Sequence, residues 1–166
     1  ARDRAVAVFR AAHACAGHDD RGRGRDVERV RAVAAGAARV EDVGQLLVDT
    51  QALIWWLSGD ARLTGTARDA IARAGAQAAV SAASIWEAAI KRATGKLHGP
   101  DLGSAVTAAG LPVLRIDEHH ARLAGELPLL HRDPFDRMLV AQAMLEQLVI
   151  VTSDREIPRY GVPIVW

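Results

Sequence analysis

The sequence predicts an α/β fold in which a central, mostly parallel sheet is flanked by helices. From Gln45 onward, short apolar runs alternate with stretches of helical periodicity, and this order is typical of βαβ units. Glycines separate several of these stretches, at Gly59, Gly75, Gly95 and Gly110. Half of the residues are apolar and a quarter are charged, which is the balance of a globular domain and excludes disordered, collagenous and disulfide-scaffold classes.

Five short apolar runs are the predicted strands of this sheet. They span residues 46–48, 78–81, 112–116, 148–152 and 163–165. The intervening stretches have apolar residues three and four positions apart, a spacing that predicts helices. These helices span residues 50–57, 64–74, 83–94, 102–109, 118–125 and 134–147. A helix after each strand can return the chain to the start of the next one, which is why a parallel sheet is expected.

Composition divides the chain into two parts. The first 42 residues contain 12 Ala and 9 Arg but no Leu, Ile or Trp. Such a segment can bury little surface against the entropy of ordering it, so residues 1–42 are interpreted as an N-terminal appendage with one short helix over residues 26–40. Because the chain has no initiating Met, the hypothesis is that the natural chain starts near Val43. The folded domain is then residues 43–166, and we expect the appendage to add nothing to the chemistry.

Charge and apolar patterning limit the classes of partner. Lys and Arg outnumber Asp and Glu by 21 to 20, so any nucleic acid would have to be held by a local site. The longest uninterrupted apolar run is the six residues 52–57, whereas a membrane-spanning helix needs about 20. No membrane association is therefore expected. The single cysteine, Cys15, cannot form an intramolecular disulfide, and a cytoplasmic location is the expectation.

Four acidic residues lie where the predicted topology brings elements together. Asp49 directly follows the first strand, and Asp154 follows the fourth. The carboxyl ends of parallel strands share one edge of a sheet, and ligands bind there. Glu87 lies one turn into the helix after the second strand, and Asp136 lies at the start of the helix that leads to the fourth. The spacing therefore predicts that four carboxylates meet at this edge.

Four carboxylates in one crevice require a counter-charge. At about 6 Å and an effective dielectric constant of about 20, each pair of like charges costs roughly 3 kcal/mol. A divalent cation removes this repulsion, and a set of oxygen ligands favours Mg²⁺ or Mn²⁺. Zinc would require His or Cys ligands, which the sequence pattern is not expected to place beside the acids. One or two such ions can activate water and stabilise a phosphoryl transition state.

Four motifs, in this order, resemble those of PIN-domain ribonucleases, in particular the VapC-type toxins of type II toxin–antitoxin systems. They are LVDT at residues 47–50, SAASIWEAAIK at 81–91, HRDPFDRMLVAQ at 131–142 and VTSD at 151–154. The resemblance covers residues 45–166 and implies a PIN-like three-layer sandwich. It places the acidic quartet of the family on Asp49, Glu87, Asp136 and Asp154. Many relatives have His after the Asp-Thr pair, where this chain has Gln51.

The resemblance implies a metal-dependent endoribonuclease, the toxin component of a toxin–antitoxin pair. A metal-activated water would hydrolyse RNA phosphodiester bonds. The implied catalytic residues, which are also the ligands of Mg²⁺ or Mn²⁺, are Asp49, Glu87, Asp136 and Asp154, with Thr152 as a polar neighbour of the metal. The implied partners are an RNA substrate, a cognate antitoxin protein and a second copy of the chain in a homodimer.

Two other functions stay open at this point. One is a catalytically inactive PIN-like module that only binds RNA or a protein; retention of the acidic quartet disfavours it. The other is a phosphatase with an aspartyl nucleophile at the end of the first strand. That family has a second acid two positions after the nucleophile, and Gln51 stands there instead.

Residues of these motifs also have structural interpretations. Ser84 and Glu87 fit a capping box, and Asp133 before Pro134 predicts an N-cap with proline at the first helical position. The arginines flanking the acids are interpreted as either steering a phosphate or offsetting the negative charge; they are Arg132, Arg137 and Arg155.

The sequence also gives expectations for aromatic, histidine and basic residues outside the acidic positions. Trp55 and Trp56 are interpreted as core or dimer-interface residues rather than base-stacking ones. His119 and His120 are expected to be solvated. Lys91 and the basic residues after it fit either a phosphate-binding group or an exposed face.

Overall fold

The computed structural model describes residues 45–166 of the chain. The appendage predicted over residues 1–42, the chain start predicted near Val43 and the helix predicted over residues 26–40 lie outside the described residues.

In the described part of the chain, five parallel strands form one sheet with the order β3-β2-β1-β4-β5. The strands are β1 (Leu46–Val48), β2 (Ala78–Ser81), β3 (Val113–Leu114), β4 (Val149–Val151) and β5 (Ile164–Val165). The central strand β1 pairs with β2 on one side and with β4 on the other, so that Val48 lies opposite both Val80 and Val151. The predicted parallel sheet is confirmed. β3 is shorter than predicted because it lies at the edge of the sheet and pairs only with β2.

Within residues 45–166, six α-helices connect the strands. They are α1 (Thr50–Ser58), α2 (Gly65–Ala74), α3 (Ala82–Ala93), α4 (Leu102–Ala109), α5 (Glu118–Glu126) and α6 (Pro134–Glu146). Short 3₁₀ turns precede β2 (Gly75–Gln77) and β5 (Ile157–Tyr160). Each α-helix follows a residue whose side chain accepts a hydrogen bond from a backbone amide of the first turn. These N-caps fix where the helices begin, and all are Asp, Ser or Thr, the types preferred at this position.

The core lies in two layers, one on each face of the sheet. Leu46 and Val48 pack on one face with residues of α1, α2, α3 and α4, whereas Leu47 packs on the other face with residues of α5 and α6. Successive side chains of a strand point to opposite faces, so these three buried residues supply both layers. The predicted three-layer sandwich is confirmed.

Two expectations about individual residues have different outcomes. Trp55 and Trp56 pack against the core, and the Trp55 ring lies 5.8 Å from that of Trp166, which confirms the core interpretation. His120, in contrast, is buried, so the expectation that it is solvated was wrong; only His119 is exposed. Adjacent helical residues point about 100° apart. His120 therefore faces α6, where its Nε2 lies 3.2 Å from Glu146 Oε1, while its neighbour faces solvent.

None of the helices described within residues 45–166 combines the length and the apolar character that a membrane-spanning segment requires.

Candidate carboxylate site

Asp49 lies at the carboxyl end of the central strand. Its backbone N–H donates to the carbonyl of Val151 over 3.1 Å, and its side chain caps α1 by accepting from the N–H of Gln51 over 3.2 Å. The hydroxyl of Thr152 donates to Asp49 Oδ2 over 2.9 Å. Burial raises the pKa of Asp49, which is only 9% exposed, and the charges of nearby carboxylates add to that shift against the lowering effect of the two hydrogen bonds.

Asp154 lies beyond the end of β4, next to Asp49. Its backbone N–H donates to Thr152 Oγ1 over 3.0 Å, and its Oδ1 accepts from the N–H of Glu156 over 2.7 Å. The Thr152 hydroxyl therefore connects both acids, which follow neighbouring strands. The hydrogen bond from Glu156 to the Asp154 side chain closes a turn after the strand. The other carboxylate oxygen of Asp154, Oδ2, lies 3.0 Å from His131 Nε2.

Asp136 lies in the first turn of α6. The helix begins as predicted, since Asp133 Oδ1 accepts from the N–H of Phe135 over 2.8 Å and Pro134 occupies the first helical position. Asp136 Oδ2 lies 3.2 Å from His131 Nε2. Burial, followed by the charge of Asp49, raises the pKa of Asp136 to about 7. Burial and the neighbouring acids therefore favour the protonated form of this carboxyl group.

Glu87 lies on α3 and pairs with Lys91, one turn further on, with 2.5 Å between Oε1 and Nζ. The predicted capping box of Ser84 and Glu87 was wrong. The N-cap is Ser81, which accepts from the N–H of Ala83 over 2.9 Å, so Ser84 lies inside the helix. The strand ends at Ser81 as predicted, but the helix begins at Ala82, sooner than the capping-box spacing implied.

Lys91 is a cation beside the acids. Partial burial acts to lower its pKa, but the ion pair with Glu87 and the charges of Asp133 and Asp136 raise the pKa above its ordinary value. Lys91 therefore offsets part of the negative charge of the acids. The next basic residue, Arg92, instead donates to the carbonyl of Gly99 over 2.7 Å.

The structure brings all four acids to the carboxyl edge of the sheet. Direct contacts run from Asp49 through Thr152 to Asp154, and from Asp154 through His131 to Asp136. Glu87 interacts electrostatically with Asp49. The oxygen donors fit a hard divalent cation, because such an ion prefers carboxylate ligands and offsets the repulsion between the acids, which adds to the effect of burial on the pKa values of Asp49 and Asp136.

His131 belongs to this site although its role was not predicted. Its Nε2 and one oxygen from each of Asp136 and Asp154 all lie within 4.8 Å of one another. The expectation that no His accompanies the acids was therefore wrong. Its position five residues before Asp136, in the loop that leads to the N-cap of α6, was the one available signal, but only the fold of that loop turns the ring towards Asp154.

Arg137 does not face the acids. It is buried, and its guanidinium donates to the carbonyls of Gly125, Leu127 and Pro128 over 3.3, 2.8 and 2.9 Å. These carbonyls lie at and just beyond the end of α5, where helix carbonyls lack helical partners. The interpretation of this arginine as a phosphate-steering or charge-offsetting group was wrong, whereas Arg132 and Arg155 are exposed.

An open, all-parallel sheet with a carboxylate cluster at its carboxyl edge defines a class of α/β proteins that bind their ligand at that edge. Residues 46–163 match the PIN domain, and the chain belongs to the PIN domain family. PIN domains are generally nucleases, and they typically use divalent metal ions.

Solved structures share the fold. The chain is similar to DNA-bound VapBC from Salmonella typhimurium, with 22% identity, coverage of 74% of this chain and 97% of that chain, and a TM-score of 0.54. It is also similar to VapBC2 from Rickettsia felis bound to a DNA fragment from its promoter, with 12% identity, coverage of 72% and 96%, and a TM-score of 0.53. Among curated proteins, none matches the chain.

Proposed function

We propose that this chain is a divalent-metal-dependent endoribonuclease, the VapC-type toxin of a toxin–antitoxin pair. The observation that carries the proposal is the convergence of four carboxylates at the carboxyl edge of a PIN domain. The proposed catalytic residues and metal ligands are Asp49, Glu87, Asp136 and Asp154. A cluster of this kind binds a phosphate poorly by itself, so the proposal requires Mg²⁺ or Mn²⁺.

Each residue of the site has a separate task in this proposal. Asp49 and Asp154 are held by Thr152 at the ends of adjacent strands, which fixes the distance between two of the ligands. Asp136 and Glu87 approach from two different helices and complete the set of oxygen donors. The bound ion would supply activation of water and stabilisation of charge on the phosphate. No protein nucleophile is needed.

The proposed substrate is RNA, and the proposed partners are a cognate antitoxin protein and a second copy of the chain in a homodimer. The resemblance of the four sequence motifs to VapC-type toxins supports these partners. The similarity in fold to two VapBC structures agrees with that resemblance. The cytoplasm is the proposed location, where such an enzyme would meet RNA.

Cleavage of total RNA by the purified full chain tests the proposal. We expect cleavage with Mg²⁺ or Mn²⁺, none with EDTA, and none above background for Asp49→Ala. A matched control is Asp69→Ala, since Asp69 is an exposed acid on α2. This variant should cleave RNA like the wild type. Cleavage that persists in EDTA, or in Asp49→Ala, would contradict a metal-dependent mechanism at this site.

Binding separates the nuclease from an inactive module. If the wild type retains labelled RNA on a filter but cuts it with neither ion, the chain is a binding protein. Asp49→Ala should still bind RNA under the proposed function, because it removes a metal ligand and leaves the exposed Arg132 and Arg155 unchanged.

A further inference from the structure

The His131 ring is fixed by contacts on both of its nitrogens. Nδ1 lies 3.0 Å from the backbone nitrogen of Asp133, and Nε2 lies 3.0 Å from Asp154 Oδ2 and 3.2 Å from Asp136 Oδ2. The side chain is 17% exposed. One nitrogen therefore faces a donor, and the other faces two acceptors.

These contacts determine which nitrogen carries the proton. A backbone N–H can only donate, so the Asp133 amide requires a lone pair on His131 Nδ1. A neutral imidazole has one N–H and one lone pair, so its proton lies on Nε2. That proton points between Asp154 and Asp136, whose carboxylates both accept.

The same assignment restricts what His131 can bind. An imidazole nitrogen that carries a proton has no lone pair for a metal ion. Although Nε2 and the two carboxylate oxygens are close enough to surround an ion, the nitrogen in this arrangement is a hydrogen-bond donor. For Nε2 to become a ligand, the proton of the ring would have to move to Nδ1. The new Nδ1–H would then face the N–H of Asp133, and two donors would point at each other.

The backbone of His131 is also fixed by hydrogen bonds. Its N–H donates to the Tyr160 hydroxyl over 2.7 Å, and that hydroxyl donates to the carbonyl of Pro128 over 2.9 Å. Asp133, which supplies the N–H to Nδ1, is itself the N-cap of α6. The ring is therefore oriented by the turn that starts the helix carrying Asp136.

We propose that His131 is a positioning residue, which holds Asp136 and Asp154 together through its Nε2–H and does not ligate the metal. Its effect on metal binding rests on the proposed function, whereas the position of its proton does not. One shared N–H between the carboxylates reduces their repulsion and orients their oxygens before an ion binds.

The proton can be observed directly. We would record long-range ¹H–¹⁵N correlation spectra of the full chain, metal-free and with Mg²⁺, at mildly alkaline pH, and assign the His131 ring by its loss in His131→Gln. We expect the Nε2–H tautomer in both spectra. A proton on Nδ1, alone or together with one on Nε2, would overturn the proposal, as would Mg²⁺ moving the proton from Nε2 to Nδ1.

Two variants test the positioning role by Mg²⁺ titration calorimetry, a readout separate from RNA cleavage. His131→Ala removes the donor, and we expect Mg²⁺ affinity to fall by about 10- to 100-fold. His131→Gln keeps an N–H near the position of Nε2, and we expect affinity close to that of the wild type. Equal losses in both variants, or a loss in neither, would overturn the proposal. If the wild type binds no Mg²⁺, the proposed function fails, and the tautomer alone decides the role of His131.

Discussion

The hydroxyl of Thr152 donates to Asp49 Oδ2 over 2.9 Å across 103 positions of sequence. It also accepts from the N–H of Asp154, and Thr152 is completely buried. One hydroxyl thus uses its donor and an acceptor to fix two acids that follow adjacent strands. It also supplies a hydrogen bond that opposes the rise in the pKa of Asp49 caused by burial.

Replacing Thr152 by Val should destabilise the protein by about 1–3 kcal/mol, because a buried carboxylate oxygen and a buried N–H each lose their partner. Urea denaturation measures the change in the free energy of unfolding. Thr152→Ser keeps the hydroxyl and loses one methyl group, so it should cost only about 1 kcal/mol or less. Equal losses for the two variants would contradict this prediction, because Thr152→Val keeps the methyl group and loses only the hydroxyl.

The raised pKa of Asp136 makes the metal-free protein less stable as the pH rises. In the folded state this carboxyl holds its proton up to pH about 7, whereas in the unfolded chain it loses it near 3.8. The folded state therefore binds more protons between these values, so the stabilisation present below 3.8 is lost as the pH rises through 7.

Asp136→Asn removes this titration. Above pH 7 and without metal, the variant should be more stable than the wild type by about 1–2 kcal/mol, and at pH below 3.8 the two should be similar. Thermal denaturation across this pH range measures the difference. Saturating Mg²⁺ should stabilise the wild type more than the variant, since the variant lacks a proposed ligand. A variant that is less stable than the wild type above pH 7 would argue against the crowding of charge at Asp136.

Tyr160→Phe should destabilise the protein by about 1–2 kcal/mol in urea denaturation. The lost hydroxyl bridges the N–H of His131 and the carbonyl of Pro128, and the ring itself packs in the core on the α5 and α6 face of the sheet. The loss should therefore come from two broken hydrogen bonds rather than from a cavity. An unchanged free energy of unfolding would mean that water replaces the hydroxyl and that the loop does not depend on it.

Arg137→Met should cost about 2–3 kcal/mol of stability, because three backbone carbonyls lose their donor while the methionine side chain fills much of the space. The exposed neighbour Arg132 provides the matched control, and Arg132→Met should change stability by about 0.5 kcal/mol or less. Urea denaturation of both variants makes the comparison. Similar small effects would contradict a structural role for the buried guanidinium.

Local signals in the sequence were sufficient for most of the fold. The helix over Leu102–Ala109 lies where it was predicted, since Asp101 caps its start and Gly110 adopts the left-handed conformation at its end. The N-cap predicted at Asp133 is also confirmed, because its side chain accepts from the N–H of Phe135 in the first turn of α6. The capping box predicted for Ser84 and Glu87 failed because a second N-cap, Ser81, lies just upstream, and the sequence alone does not rank the two.

Buried polar residues were the least predictable part of the structure. The sequence shows that Arg137 and His120 occur on helices beside apolar residues, but not that each has polar partners on another segment. Burial of a polar group is favourable only when such partners are present. Those partners come from residues that are distant in sequence, so a local pattern does not contain them.

The order of strands and helices and the placing of the four acids near the carboxyl edge could be predicted from the sequence, because strand direction and helix spacing place residues of neighbouring elements without reference to side-chain contacts. The contacts that join Asp49 to Asp154 through Thr152, and that turn His131 Nε2 between Asp136 and Asp154, could be seen only in the folded chain. Hydrogen bonds depend on distances of a few tenths of an ångström, and those distances are fixed only when the packed layers bring separate segments together.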